Sequence, residues 1–145
     1  MARAKISAAS NEVFNDNGSV LLSIAKGEQR HMEITIGWVT NLWGFPIVCK
    51  VVEGANDGSG NRPTAVQPNG EVTTLVILDE ETQDNKFKIV LPEDMCNNWA
   101  VQPTPDKPVF GWIDLEVADT GVGPLKQVWK PLRGLVEVTF SPTEE

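Results

Sequence analysis

Few side chains in this chain have the type and spacing that chemistry demands. Nucleophilic catalysis by a serine, threonine or cysteine needs a base within reach, and the sequence holds one histidine, His31, at the mouth of a strand-like run. Its neighbours offer no second histidine and no close cysteine pair, so zinc and triad readings give way to a surface residue. Asp114 and Glu116 stand at i, i+2 on one strand face, as a carboxylate pair for acid/base work would. Outward charges on an amphipathic strand give the same spacing and are the preferred explanation. Asp57, Ser59 and Asn61 alternate like oxygen ligands of a calcium loop, but the glycine and distal bidentate glutamate are not at the required offsets, which favours a flexible loop. Gly54, Gly58 and Gly60 precede no helical pattern and form no phosphate cradle. The expectation is a non-enzyme with no catalytic residue, metal or cofactor.

The large aromatics say more. Five tryptophans and no tyrosine are many for this length. Trp43, Phe45, Trp99, Trp112 and Trp129 fall in turns, at strand starts or on the outward phase of a strand, and aromatics exposed together mark contact surfaces. Any single one reads equally as closing an end of a core. As a set they point to a subunit of an assembly, and these five are the interaction candidates.

The elements that must position them are strands. Residues 31–39 and 109–117 alternate, placing Met32, Ile34, Ile36 and Trp38, and Val109, Ile113, Leu115 and Val117, on one face each. Further strands are expected at 20–24, 45–52, 72–78 and 86–91, with a short edge segment at 125–129 and a last strand at 132–140. Residues 31–39 and 45–52 should form one hairpin, and 72–78 and 86–91 another. Phe87, Ile89 and Leu91 share a face, as do Val136, Val138 and Phe140. Residues 53–71, rich in Gly and Pro, form a long loop. Pro92, followed by Glu93 and Asp94, suggests one short helical turn, and the prolines of 102–108 an extended linker. Residues 1–18 read as an N-terminal arm with a short β-segment around Val13 and Phe14, 19–140 as the folded domain, and 141–145 as an exposed tail. Seven or eight short strands with regular turn signals predict an all-β, two-sheet antiparallel β-sandwich.

At 145 residues a single domain buries about 70% of its unfolded surface. A net charge of −8 disfavours a nucleic-acid partner, which needs a basic patch, and suits solubility. No apolar run approaches the ~20 residues of a membrane helix, and the opening Met-Ala-Arg-Ala lacks the apolar core of a secretion signal. Cys49 and Cys96 are therefore expected as free thiols, Cys49 within the core. An immunoglobulin-type disulfide would place a tryptophan after its first cysteine, whereas Trp38 and Trp43 precede Cys49.

The order of these features resembles the immunoglobulin-like N-terminal domain of phage baseplate upper proteins. Lys26-Gly27-Glu28 matches a basic-Gly-acidic turn before an alternating strand, and Leu42-Trp43-Gly44 an aromatic-glycine turn leading into the next. Phe110-Gly-Trp-Ile-Asp-Leu-Glu116 matches an aromatic-rich strand with an Asp-Leu-Glu signature, and Gly134-Leu-Val-Glu-Val-Thr-Phe140 a last strand of the form Gly-x-Val-x-Val-Thr. The likeness spans roughly residues 20–140. The family domain usually precedes further modules whereas this sequence stops at Glu145, and the 53–71 loop is longer than the family's pattern. The resemblance implies an immunoglobulin-like sandwich in a virion structural protein: a tail, baseplate or fibre-attachment adaptor present in multiple copies. It would assemble through edge strands, the arm and outward aromatics, with other virion proteins and copies of itself as partners. The expected location is the virion, and the host cytoplasm during assembly. Rival readings are a capsid decoration protein and a carbohydrate-binding module, the latter needing coplanar aromatics such as Trp112 with Trp43; a hydrolase ranks behind both.

Overall fold

The alternating runs become strands that each bury one face against the opposite sheet. A computed structural model describes residues 3–8, 19–37, 39, 41–42, 44–78, 85–119 and 127–142. Among these there are nine strands: β1 (Arg3–Ala8), β2 (Val20–Ala25), β3 (Arg30–Ile36), β4 (Ile47–Glu53), β5 (Val72–Thr74), β6 (Val76–Leu78), β7 (Lys86–Leu91), β8 (Val109–Asp119) and β9 (Gln127–Thr139). They form a four-stranded sheet, β1-β3-β7-β6, facing a five-stranded sheet, β2-β9-β8-β4-β5. With β3-β7-β6 opposite β9-β8-β4, the order is the B-E-D and G-F-C arrangement of immunoglobulin-like sandwiches. Most pairs are antiparallel, but β1 runs parallel to β3 and β2 parallel to β9.

The core lies between the sheets. Met32, Ile34 and Ile36 of β3 and Phe87, Ile89 and Leu91 of β7 meet Cys49 and Val51 of β4, Ile113, Leu115 and Val117 of β8, and Val136 and Val138 of β9, all buried. Burying an aliphatic or Phe side chain is worth about 1.5–3 kcal/mol, so this shared face drives the sandwich. Both cysteines are buried and free, Cys49 in the core as expected.

The pairing of neighbouring strands departs from the expected order in three places. The runs at 31–39 and 45–52 form no hairpin: β3 pairs with β7 and β4 with β8, in different sheets. Alternation fixes which face is buried, and both sheets accept such a strand. Buried Leu42 lies in the connection between them. The run 72–78 splits at Leu75, whose side chain is buried and whose N–H donates to the Cys49 carbonyl at 2.8 Å. Residues 72–74 close one sheet and 76–78 the other, and only β6 makes the expected hairpin with β7. The segments 125–129 and 132–140 are one strand from Gln127 onward. The β8–β9 register slips between Leu115 and Val117, which leaves Lys130 and Pro131 opposite Glu116; the proline sits at a bulge, where its missing N–H is tolerated. Phe140 lies beyond the strand and is exposed.

Pro92–Trp99 forms successive reverse turns rather than a helical turn, with N–H groups of Met95, Asn97 and Trp99 donating to carbonyls three residues back. Met95, Cys96 and Trp99 are thereby all turned into the core. The turn into β3 is type II: Glu28 N–H donates to the Ala25 carbonyl at 3.0 Å and Gly27 has φ 86°. Glu28 also accepts from Ala25 N–H and pairs with Arg30.

Candidate interaction surfaces

The long loop after β4 is tied down along its length and builds the outer face of the larger sheet. Its two ends meet at Glu53, a carboxylate only 3% exposed. Glu53 Oε1 accepts from Glu71 N–H at 3.1 Å and Oε2 from Ala100 N–H at 2.7 Å, joining β4, the loop exit and the turn after Trp99. Asn56 acts as a surrogate strand residue: its Oδ1 accepts from Phe110 N–H at 2.9 Å and its Nδ2 donates to the Phe110 carbonyl at 3.0 Å. Ala55 N–H bonds the Ala65 carbonyl, closing the loop on itself. Asp57 accepts from the Ser59 amide and hydroxyl, and this hydrogen bonding holds its carboxyl below the usual range. Among the described residues no group of three or more His, Cys, Asp or Glu gathers as metal ligands would.

Folding over the sheet, the loop leaves a shallow cleft of about 380 Å³ lined by Thr64–Val66 on one side and Trp112, Ile113, Asp114, Arg133 and Gly134 on the other. Beside it, Phe110 and Leu135 are buried outside the main core cluster, because Phe110, Trp112 and Leu135 share the outer face that the loop covers. Asp114 bonds Lys130 at 2.9 Å, Lys130 reaches Glu116 at 3.7 Å, and Arg133 stands 3.5 Å from the other Asp114 oxygen. Such half-exposed pairs contribute about 0–1 kcal/mol each. The carboxylates at i, i+2 are thus part of a charge ladder sharing one lysine. His31 is half-buried on β3 opposite Val90.

The four aromatic candidates that are described do not gather on one surface. Trp112 is half-buried in the cleft wall, where among the described residues no second aromatic lines the cleft. Phe45 and Trp129 are both half-buried and pack against each other at an end of the core, ring centroids 6.2 Å apart and tilted 32°. Trp99, an interaction candidate that read equally as core, is 4% exposed: the reverse turns roll its ring inward over Gly111, where a Cβ would come within 2.7 Å of the indole. Its indole N–H has no hydrogen-bond partner among the described residues. Trp43 lies outside the described residues.

The two most exposed large apolar side chains among the described residues, Val72 and Val76, lie elsewhere. Val72, Val76 and Leu78 are 52%, 60% and 37% exposed, on the two short strands that end the two sheets on one side of the sandwich. The run Val72-Thr-Thr-Leu-Val-Ile-Leu78 carries no charge, glycine or proline, and that composition is the sequence signal for an unguarded edge. At the opposite end of the smaller sheet, β1 lies along β3 from Arg3 opposite His31 to Ala8 opposite Ile36. Val13 and Phe14, the β-segment expected in the arm, lie outside the described residues.

No protein family and no curated protein matches this chain. Among solved structures, it is similar to the N-terminal domain of phage TP901-1 ORF48, with a TM-score of 0.51 and 11% identity over 96% of this chain and 99% of that one. At that identity the likeness is one of fold, and it extends from one end of both chains to the other.

Proposed function

We propose that this chain is a non-enzymatic structural protein of a tailed-phage virion, an adaptor at the tail, baseplate or fibre attachment that assembles in multiple copies. The observation that carries this reading is the end-to-end fold likeness to a phage protein's N-terminal domain. The sequence features resembling baseplate upper proteins point the same way. An adaptor needs contact surfaces rather than a reaction centre, and the uncharged edge at 72–78 fits strand addition by a neighbouring chain. Phe45, Trp112 and Trp129 remain partly accessible for anchoring contacts. Its partners are other tail, baseplate or fibre subunits and further copies of itself, with assembly in the host cytoplasm before incorporation into the particle. A glycan-binding reading is less well supported, because among the described residues the Trp112 cleft is lined by one aromatic rather than a stacking platform of several.

Mass spectrometry of purified particles of the phage that encodes the chain, intact and stripped of tails, tests this. The chain should be present in intact particles and lost with the tails. Retention on tailless heads would replace the adaptor with a capsid decoration protein, and absence from both samples would refute a virion role.

A further inference from the structure

We infer that Asn69 is a site of spontaneous deamidation, that the hydrogen bonds of Glu53 set its rate, and that the isoaspartate product can no longer be held by them. Gln67-Pro68-Asn69-Gly70 forms a type II turn: Gly70 N–H donates to the Gln67 carbonyl at 2.9 Å, and Asn69 has φ 58°. Among the described residues Asn69 is the only one other than glycine with a positive φ, a conformation that asparagine tolerates. It is exposed to water. The next residue must be glycine, since a Cβ on Gly70 would stand 2.8 Å from the Gln67 Cβ and 3.0 Å from its carbonyl oxygen. The turn thus requires the pair in which the amide nitrogen after an asparagine is least hindered, and asparagine is among the thermolabile residues.

In the reaction the Gly70 nitrogen forms a bond to Asn69 Cγ. The Cγ–Nδ2 bond breaks, and that nitrogen leaves as ammonia, taking up the proton that the Gly70 amide gives to solvent. Water then opens the resulting succinimide at either carbonyl, giving aspartate or isoaspartate. The native turn opposes the first step, because it holds the Gly70 N–H on the Gln67 carbonyl. Both ends of the turn are fixed by Glu53: Gln67 N–H donates to the Glu53 carbonyl at 2.9 Å, Glu53 N–H to the Glu71 carbonyl at 2.9 Å, and Glu71 N–H to Glu53 Oε1 at 3.1 Å. Reaction therefore waits for local opening of the loop exit. Isoaspartate routes the main chain through its side-chain carbon, which lengthens it by one C–C bond, about 1.5 Å. Inserted between Gln67 and Glu71, that excess carries hydrogen bonds of 2.9–3.1 Å out of range, so the loop exit is released permanently.

Peptide mapping of the whole chain during incubation in mildly alkaline buffer, with electron-transfer fragmentation to separate isoaspartate from aspartate, tests this. Asn69 of the folded wild type should react about tenfold or more slowly than in a synthetic peptide spanning Ala65–Thr73. Glu53→Gln should raise the folded-state rate about 5–30-fold, toward that of the peptide. Pro68→Ala, which leaves Glu53 in place and frees only the preset φ of the turn, should raise it about two- to fivefold. Circular dichroism matching wild type would show that both variants remain folded. In the purified isoaspartate form the Glu71 amide should lose its protection from hydrogen exchange, whereas Asn69→Asp, with an ordinary main chain, should keep it. An Asn69 that reacts as fast in the folded wild type as in the peptide, a rate that neither variant raises, or an isoaspartate form with Glu71 still protected would overturn the inference.

Discussion

Glu53 is the point at which the long loop, β4 and the turn after Trp99 are held in one geometry, and Glu53→Gln tests that reading. The carboxylate is buried and each oxygen accepts one backbone N–H, from Glu71 and from Ala100. A glutamine keeps one acceptor but turns its NH₂ toward the other amide, placing donor against donor. A hydrogen bond to a charged group contributes about 1.5–3 kcal/mol, and a stranded buried donor costs about 1–3 kcal/mol. Glu53→Gln should therefore cost about 2 kcal/mol and Glu53→Ala, which strands both amides, about 4 kcal/mol. At about 2–4 °C per kcal/mol for a chain near this size, the melting midpoint should fall by about 4–8 °C for the glutamine and about twice that for the alanine. Calorimetry gives the midpoint, and amide exchange should show Glu71 and Ala100 losing protection in both variants. A Glu53→Gln midpoint within about 1 °C of wild type, equivalent to less than about 0.5 kcal/mol, would refute the account of these bonds.

Other consequences are open to direct measurement. Gly111→Ala puts a Cβ 2.7 Å from the Trp99 ring and 2.9 Å from the Val52 carbonyl and should cost about 1–3 kcal/mol, measured by urea unfolding. Trp99→Ala should cost about 3–5 kcal/mol, whereas the loss would be much smaller were that ring on the surface. Removing Phe45 and Trp129 singly and together should give a coupling of about 0.5–1.5 kcal/mol in a double-mutant cycle. Burial, and secondarily the charge of Asp114, push the Cys49 thiol far above its ordinary value of 9.0. The folded state thus holds a proton that the unfolded state releases, so this stability is present below about pH 9 and falls as pH rises above it, by up to about 1.4 kcal/mol per pH unit. Cys49→Ala should remove that part of the alkaline slope.

Much of the fold was legible where one physical rule governs one residue. Period-two alternation located the buried face of β3, β7 and β8, because a strand against a core has only two sides. Alternation does not say which strand lies alongside, and there the reading failed: β3 and β4 were expected as a hairpin but serve opposite sheets. Leu75 looked like one more apolar residue in a strand, although a buried side chain out of phase is what turns 72–78 from one sheet to the other. The gap expected between 129 and 132 is instead a bulge at Lys130 and Pro131 within one strand. Trp99 escaped because irregular turns have no period; the signal that locates it is Gly111, a strand glycine of the kind that admits another group close to the backbone. The aromatic candidates rested on composition, which detects surface and core tryptophans alike. The exposed edge at 72–78 was written in residue types, but its place at the ends of both sheets required the topology.

The claim at the centre of this account is that the sandwich works as a piece of tail architecture, and immunogold electron microscopy of intact particles tests it most directly. Label clustered at the tail tip or at the fibre attachment, in several copies per particle, is the predicted result. Label over the head, or none on any particle, would contradict it.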